Sequence, residues 1–126
     1  MLLKKIILRN NDPFEQAVET WAKSNQIDVH VFDGKVSLFD MVDSLVIIHQ
    51  DHNISREIKD LRIQMEKIHK PVQEIDINGT MNASISSLKF WLENNDPSNT
   101  LMVGDDKLVE ANRFQDYFSQ LAKNLK

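Results

Sequence analysis

Five times along the chain a short run rich in β-branched residues gives way to a longer amphipathic stretch, which is the pattern of a βα repeat. The first run, Lys5-Ile6-Ile7-Leu8, leads into Asn10-Asn11-Asp12-Pro13. Asp12 suits a helix N-cap, where its carboxylate accepts from otherwise unpaired N–H groups, and Pro13 suits the first helical position because it has no N–H to satisfy. Phe14, Ala17, Val18, Trp21 and Ala22 then recur at the spacing of one helical face, so this helix must pack on the sheet. The second run, Ile27 to Phe32, alternates apolar and polar residues and reads as an edge strand. Asp33-Gly34 ends it, and Ser37 with Asp40 has the spacing of a capping box ahead of a short helix through Val42.

Leu45-Val46-Ile47-Ile48 is uninterrupted by polar residues, as expected of a strand covered on both faces. Ile54, Ile58, Leu61, Met65 and Ile68 form the clearest helical stripe, with Ile63 on the opposite side. Lys70-Pro71 stops that helix. The fourth strand, Val72 to Ile77, mixes Gln73, Glu74 and Asp76 into its run, and a serine-rich helix carrying Ile85, Leu88, Trp91 and Leu92 follows. Leu101-Met102-Val103 makes the fifth strand, and Phe114, Phe118, Leu121 and Leu125 share a face of the last helix. Gly34, Gly79 and Gly104 each lie just past a strand, where a tight turn favours a residue tolerant of positive φ. The pattern predicts an α/β three-layer sandwich: a flavodoxin-like (βα)5 unit with a five-stranded parallel sheet and the order 2-1-3-4-5. One feature pulls against that order, because it puts strand five at the edge while strand four has the more edge-like composition.

Length and composition narrow the class. The 126 residues fit one α/β domain, 1–126, and an apolar fraction of 41% with 27% charged residues is ordinary for a globular chain. A formal charge of −4 gives no electrostatic footprint for nucleic acid. The absence of cysteine excludes a disulfide framework, a thiolate zinc site and a cysteine nucleophile. The longest apolar run, Leu45 to Ile48, is far short of the ~20 residues of a membrane span, and the N-terminus runs straight into the first strand, so no membrane partner and a cytoplasmic location are expected.

In such sheets ligands bind beyond the carboxyl ends of the strands. The loops there supply Asn10, Asn11, Asp12, Asp33, Asp51, Asn53, Asn78, Thr80 and Asp105 as candidate ligand-binding residues. The same residue types cap helices and make turns in any fold of this kind. Asp12, Asp33, Asp51 and Asp105 should project from one edge, with Asp12 and Asp51 on adjacent loops, and mutual repulsion should raise the pKa of some of them. His49-x-Asp51-His52 is the densest group of metal-ligand types, but its spacing matches no metal motif, and no metal set is assigned. His30 and His69 read as surface residues. Glu57, in the first turn of the third long helix, stands where its carboxylate can face the strand ends; a helix dipole alone also favours an acid there. No G-x-G-x-x-G, Walker lysine loop or serine elbow is present, and the sequence names no cofactor.

Asp43-Ser44-Leu45-Val46-Ile47-Ile48, Asn53-Ile54-Ser55-Arg56-Glu57-Ile58 and Lys70-Pro71-Val72 together resemble the middle of the TIR-like and nucleoside 2-deoxyribosyltransferase-like superfamily, over roughly residues 43–78. The resemblance implies a nucleotide or nucleoside at the strand ends, and Glu57 as the catalytic group of an N-glycosidic hydrolase or transferase. The Leu8-Arg9-Asn10-Asn11 segment departs from the family's Gly-containing loop, and no D-x-G-T step precedes Glu57. The order of elements is also similar to response-regulator receiver domains, with Asp12, Asp51, Thr80 and Lys107 nearest to that family's phosphorylation-site positions but each displaced from them. That second resemblance implies a non-enzymatic signalling or interaction domain. Its partner would be a protein, including a second copy of the chain through the face bearing Ile63.

Overall fold

Residues 2–9, 12–51, 53–110 and 112–125 are described by the structure, a computed structural model. The alternating pattern becomes β1 (Lys5–Leu8), α1 (Pro13–Ser24), β2 (Asp28–Val31), a one-turn α2 (Leu38–Met41), β3 (Ser44–His49), α3 (Arg56–Lys67), β4 (Val72–Asp76), α4 (Met81–Asn95), β5 (Thr100–Gly104), a 3-10 turn (Asp106–Glu110) and α5 (Asn112–Leu125). Local chemistry sets several of these boundaries. Asp12 Oδ1 accepts from Glu15 N at 2.8 Å and Pro13 is the first residue of α1, as the sequence leads one to expect. Ser55 caps α3 in the same way, through Ile58 N at 3.3 Å. Ser37 precedes α2 but makes no side-chain cap bond, so the capping box expected there does not form.

All five strands are parallel, and the sheet runs β2-β1-β5-β3-β4. This is the three-layer α/β architecture of the flavodoxin-like class, with a correction to the expected order: β5 lies between β1 and β3, and β4 takes the edge. Burial gives the physical reason. Every residue of β5 is buried, whereas only Ile75 is buried in β4; a sheet with helices on both faces places its most apolar strands centrally. Leu101 pairs with Ile7 on one side and Leu45 on the other.

The side-chain alternation of the strands divides the core. Ile6, Leu8, Val46, Ile48 and Met102 face α1, α4 and α5, while Ile7, Leu45, Ile47, Leu101 and Val103 face α2 and α3. Each such side chain contributes about 1.5–3 kcal/mol when fully buried. The connections through α1 and α4 step toward the β2 end of the sheet on one face, and those through α2 and α3 step toward the β4 end on the other. Every crossover therefore has the same hand, as the chirality rule for parallel units demands.

The glycine expectation holds at one position of the three. Gly34 has φ +82, and neither Gly79 nor Gly104 adopts positive φ. Gly104 is needed for a different reason: a Cβ there would stand 2.6 Å from Cε2 of Phe14, so its absence lets that buried ring close over the end of β5. Among the described residues no helix is long and apolar enough to cross a membrane.

Candidate functional site

Because all strands are parallel, the loops after β1, β3, β4 and β5 emerge at one edge. The chain leaving β1 and β5 turns to the α1/α5 face, and the chain leaving β3 turns to the α3 face. That divergence leaves a crevice of the kind where ligands bind in open α/β sheets. A cavity of about 210 Å³ lies there, lined by Arg9 and Asp12 from β1 and its loop, Ser55 and Glu57 from the start of α3, and Gly104, Asp105 and Asp106 from the end of β5.

Arg9 organises the site. Its backbone N–H donates to Glu15 Oε1 at 2.8 Å, its Nη1 donates to Glu57 Oε1 at 2.6 Å, and its Nη2 lies 3.9 Å from Asp12 Oδ2. Nε is 3.4 Å from the same Glu15 oxygen and makes no hydrogen bond among the described residues. The Arg9 side chain is 11% exposed and that of Glu15 is 0% exposed, so this inner pair is dry, whereas Glu57 at the mouth is 73% exposed. The buried partner fixes the arginine, and the arginine fixes the exposed glutamate.

The walls hold more acid than base. Burial raises the Asp12 carboxyl above the ordinary carboxylate value; Asp106 and Glu57 push the same way, against the hydrogen bond from Glu15 N–H and the charge of Arg9. The raised value expected from the sequence is found at Asp12, but its first cause is burial and the repelling carboxylates are Asp106 and Glu57 rather than Asp33, Asp51 or Asp105.

The remaining candidates disperse. Asp51 and Asp12 do not stand on adjacent loops, since β5 separates β3 from β1. Asp51 instead belongs to a second cluster, where its Oδ2 accepts from Asn78 Nδ2 at 2.9 Å and its N–H donates to Asp76 Oδ1 at 3.2 Å. Asn53 borders a small cleft of about 50 Å³ with Asp105 and Lys107. Asp33 accepts from Lys35 N at 3.0 Å in the turn after β2, and Thr80 stands exposed at the start of α4 without a side-chain cap bond. Asn10, Asn11 and His52 lie outside the described residues.

His49 is the last residue of β3 and is buried rather than in a loop. No group of three or more metal-ligating side chains able to hold an ion occurs among the described residues. Arg9, Glu15, Ser55 and Asp106 are members of the site that the sequence reading did not select. Their signal was positional: Arg9 directly follows β1, and Glu15 lies three residues after the N-cap.

In comparisons with protein-family models, with curated proteins and with solved structures, the chain matches none.

Proposed function

We propose that this protein is a cytoplasmic small-ligand module that takes the sugar side of a nucleoside into the cavity beneath Glu57, the reading implied by its TIR-like and deoxyribosyltransferase-like resemblance. The observation that carries the proposal is the Glu15–Arg9–Glu57 chain of contacts, which holds a solvent-facing carboxylate at the mouth of a strand-end cavity. Carboxylates accept hydrogen bonds from ring hydroxyls, as an acidic residue does for the ribose in dinucleotide folds. Asp12, Asp105 and Glu57 supply such acceptors. The same acids oppose an anion, because Arg9 is already engaged by Glu15 and Glu57, and this favours a nucleoside over its phosphorylated form. At about 210 Å³ the cavity is below the ~300 Å³ at which drug-sized pockets begin, so it suits one ring with the remainder of the ligand outside. If the module is an enzyme, Glu57 is the group that attacks or stabilises the ribosyl centre during transfer or hydrolysis of the N-glycosidic bond.

A thermal-shift panel of millimolar nucleosides, their 5′-phosphates and NAD tests this reading, since a ligand bound to the folded state raises its apparent stability by mass action. Nucleosides should raise the melting temperature more than the matching phosphates. Arg9→Gln should weaken that response. No shift with any of the three classes would overturn the proposal.

A second reading, the receiver-like interaction domain, is favoured by one observation: Ile63 on α3 is 45% exposed on the side away from the buried stripe. Self-association by light scattering that Ile63→Glu abolishes would support it, and a monomer unaffected by that change would remove it.

A further inference from the structure

Away from the strand ends, α1 and α5 lie side by side on the same face of the sheet, and α5 carries a broad aromatic stripe toward its neighbour. The Trp21 ring meets Phe118 edge-on at 5.0 Å and 75°, and Phe114 lies 4.7 Å from Phe118. Trp21 Nε1 also donates to the Phe118 carbonyl at 2.9 Å, which locks the indole without help from any other molecule. These three rings, with Ala17, wall a groove of about 360 Å³. The geometry points to a second ligand site here, for a small, uncharged, flat apolar molecule.

Three features of the groove set that ligand class. First, none of its eight lining residues is ionisable, in a chain where charged residues make up 27%. A charged group entering it would lose hydration and meet no counter-charge. Second, the rim is formed by Thr20, Ser24, Gln115 and Ser119. The Thr20 hydroxyl donates to Gln16 O at 3.1 Å and the Ser24 hydroxyl to Thr20 O at 2.9 Å. Their protons are committed to the backbone of α1, so at this rim their oxygens are left only as acceptors and suit a ligand bearing one N–H or O–H donor. Third, the size selects a small molecule over a protein. Eight residues are far fewer than the ~20–30 a side of a stable protein interface, whereas the volume falls within the ~300–1,000 Å³ of mostly apolar small-molecule pockets. A preformed aromatic wall, a neutral rim and this volume together fit one or two fused rings.

Indole, which has two fused rings and one N–H donor, is the probe, and two-dimensional amide NMR of the full chain is the readout. Saturable shifts confined to residues 17–24 and 114–119, with a dissociation constant of ~1 mM or tighter, are expected for a ligand of this size. Indole-3-acetate, the same ring bearing a carboxylate, should bind about tenfold more weakly. Ser119→Trp and Ser24→Trp replace exposed rim residues by a ring that fills the groove from either helix, and each should abolish the shifts while the rest of the spectrum stays folded. Shifts that are absent, that rise linearly across the whole surface, or that survive in a folded variant would overturn the site. Equal binding of indole and indole-3-acetate would overturn the assignment of an uncharged ligand.

Discussion

Two acidic clusters stand on the same edge of the sheet and behave in opposite ways. At the ends of β3 and β4, the Asp76 carboxylate accepts from Asp51 N and Asn78 N, and Asp51 accepts from the Asn78 amide. Amide donors are matched to carboxylate acceptors, and the loops close on each other. At the ends of β1 and β5, Asp12, Glu15 and Glu57 share the single guanidinium of Arg9, and Asp105 and Asp106 add further charge beside them. Among the described residues that line this crevice, carboxylates outnumber guanidinium groups, and the crevice stays open. Position at a sheet edge and acidic composition are therefore not what makes a site; the balance of donors and acceptors within the cluster decides whether its carboxylates are available to something else.

The largest way to break that contrast is Glu15→Ala. It removes the buried acceptor of the Arg9 N–H and the innermost carboxylate beside the guanidinium, while Glu57 and Asp12 remain next to Arg9, so it should destabilise the fold by about 1–3 kcal/mol, the cost of leaving a buried donor unsatisfied. Glu15→Gln keeps an acceptor and should lie between that variant and the parent. Chemical denaturation at neutral pH measures both. A loss below about 1 kcal/mol for Glu15→Ala would mean that Glu57 and Asp12 suffice to hold Arg9, and the dry inner pair would lose its role.

What could be read of this from the chain follows the same physics. Periodicity and caps are local, and the elements from β1 to α5 fall close to where the hydrophobic pattern puts them. The strand order is not local, but its evidence was present: Gln73, Glu74 and Asp76 mark β4 as exposed, while Leu101, Met102 and Val103 mark β5 as covered, and that difference decided the sheet. Asp12 and Glu57 were legible because a cap and a first helical turn fix where a side chain stands. Arg9 and Glu15 were not, since each alone reads as an ordinary charged surface residue. Only their pairing across six residues takes both out of water. The separation of Asp12 from Asp51 follows from β5 entering between their strands, so that error and the error in strand order are the same error.

A smaller effect sharpens the closed cluster. Asp51 has φ +53, a region in which a Cβ costs about 1–2 kcal/mol unless a short polar side chain bonds locally. Asp51→Ala loses the bond from Asn78 and keeps the Cβ, so a loss of about 1–2 kcal/mol is expected. Asp51→Gly loses the same bond but relaxes the backbone, and should recover about 1 kcal/mol of that. Equal losses in the two variants would show that the hydrogen bond, rather than the backbone, holds this loop. Neither substitution should alter ligand binding in the cavity under Glu57.

The smallest effect is the most specific to the open cluster. Since the folded-state pKa of Asp12 is raised above its ordinary value of 3.8, the folded protein holds the proton on this carboxyl more readily than the unfolded chain does. Its ionisation therefore opposes folding: the penalty is absent below 3.8, develops as pH rises through the raised folded value, and is complete above it. Asp12→Asn keeps a side-chain oxygen to accept from Glu15 N–H and removes the charge that Asp106 and Glu57 oppose. At neutral pH the variant should be at least as stable as the parent, and the gap between them should close as the pH falls below 3.8. Comparing the two proteins at each pH cancels the titration of every other carboxylate. If Asp12→Asn is instead the less stable protein at neutral pH, attraction to Arg9 outweighs burial and repulsion at Asp12, and the cavity is electrostatically satisfied without a ligand.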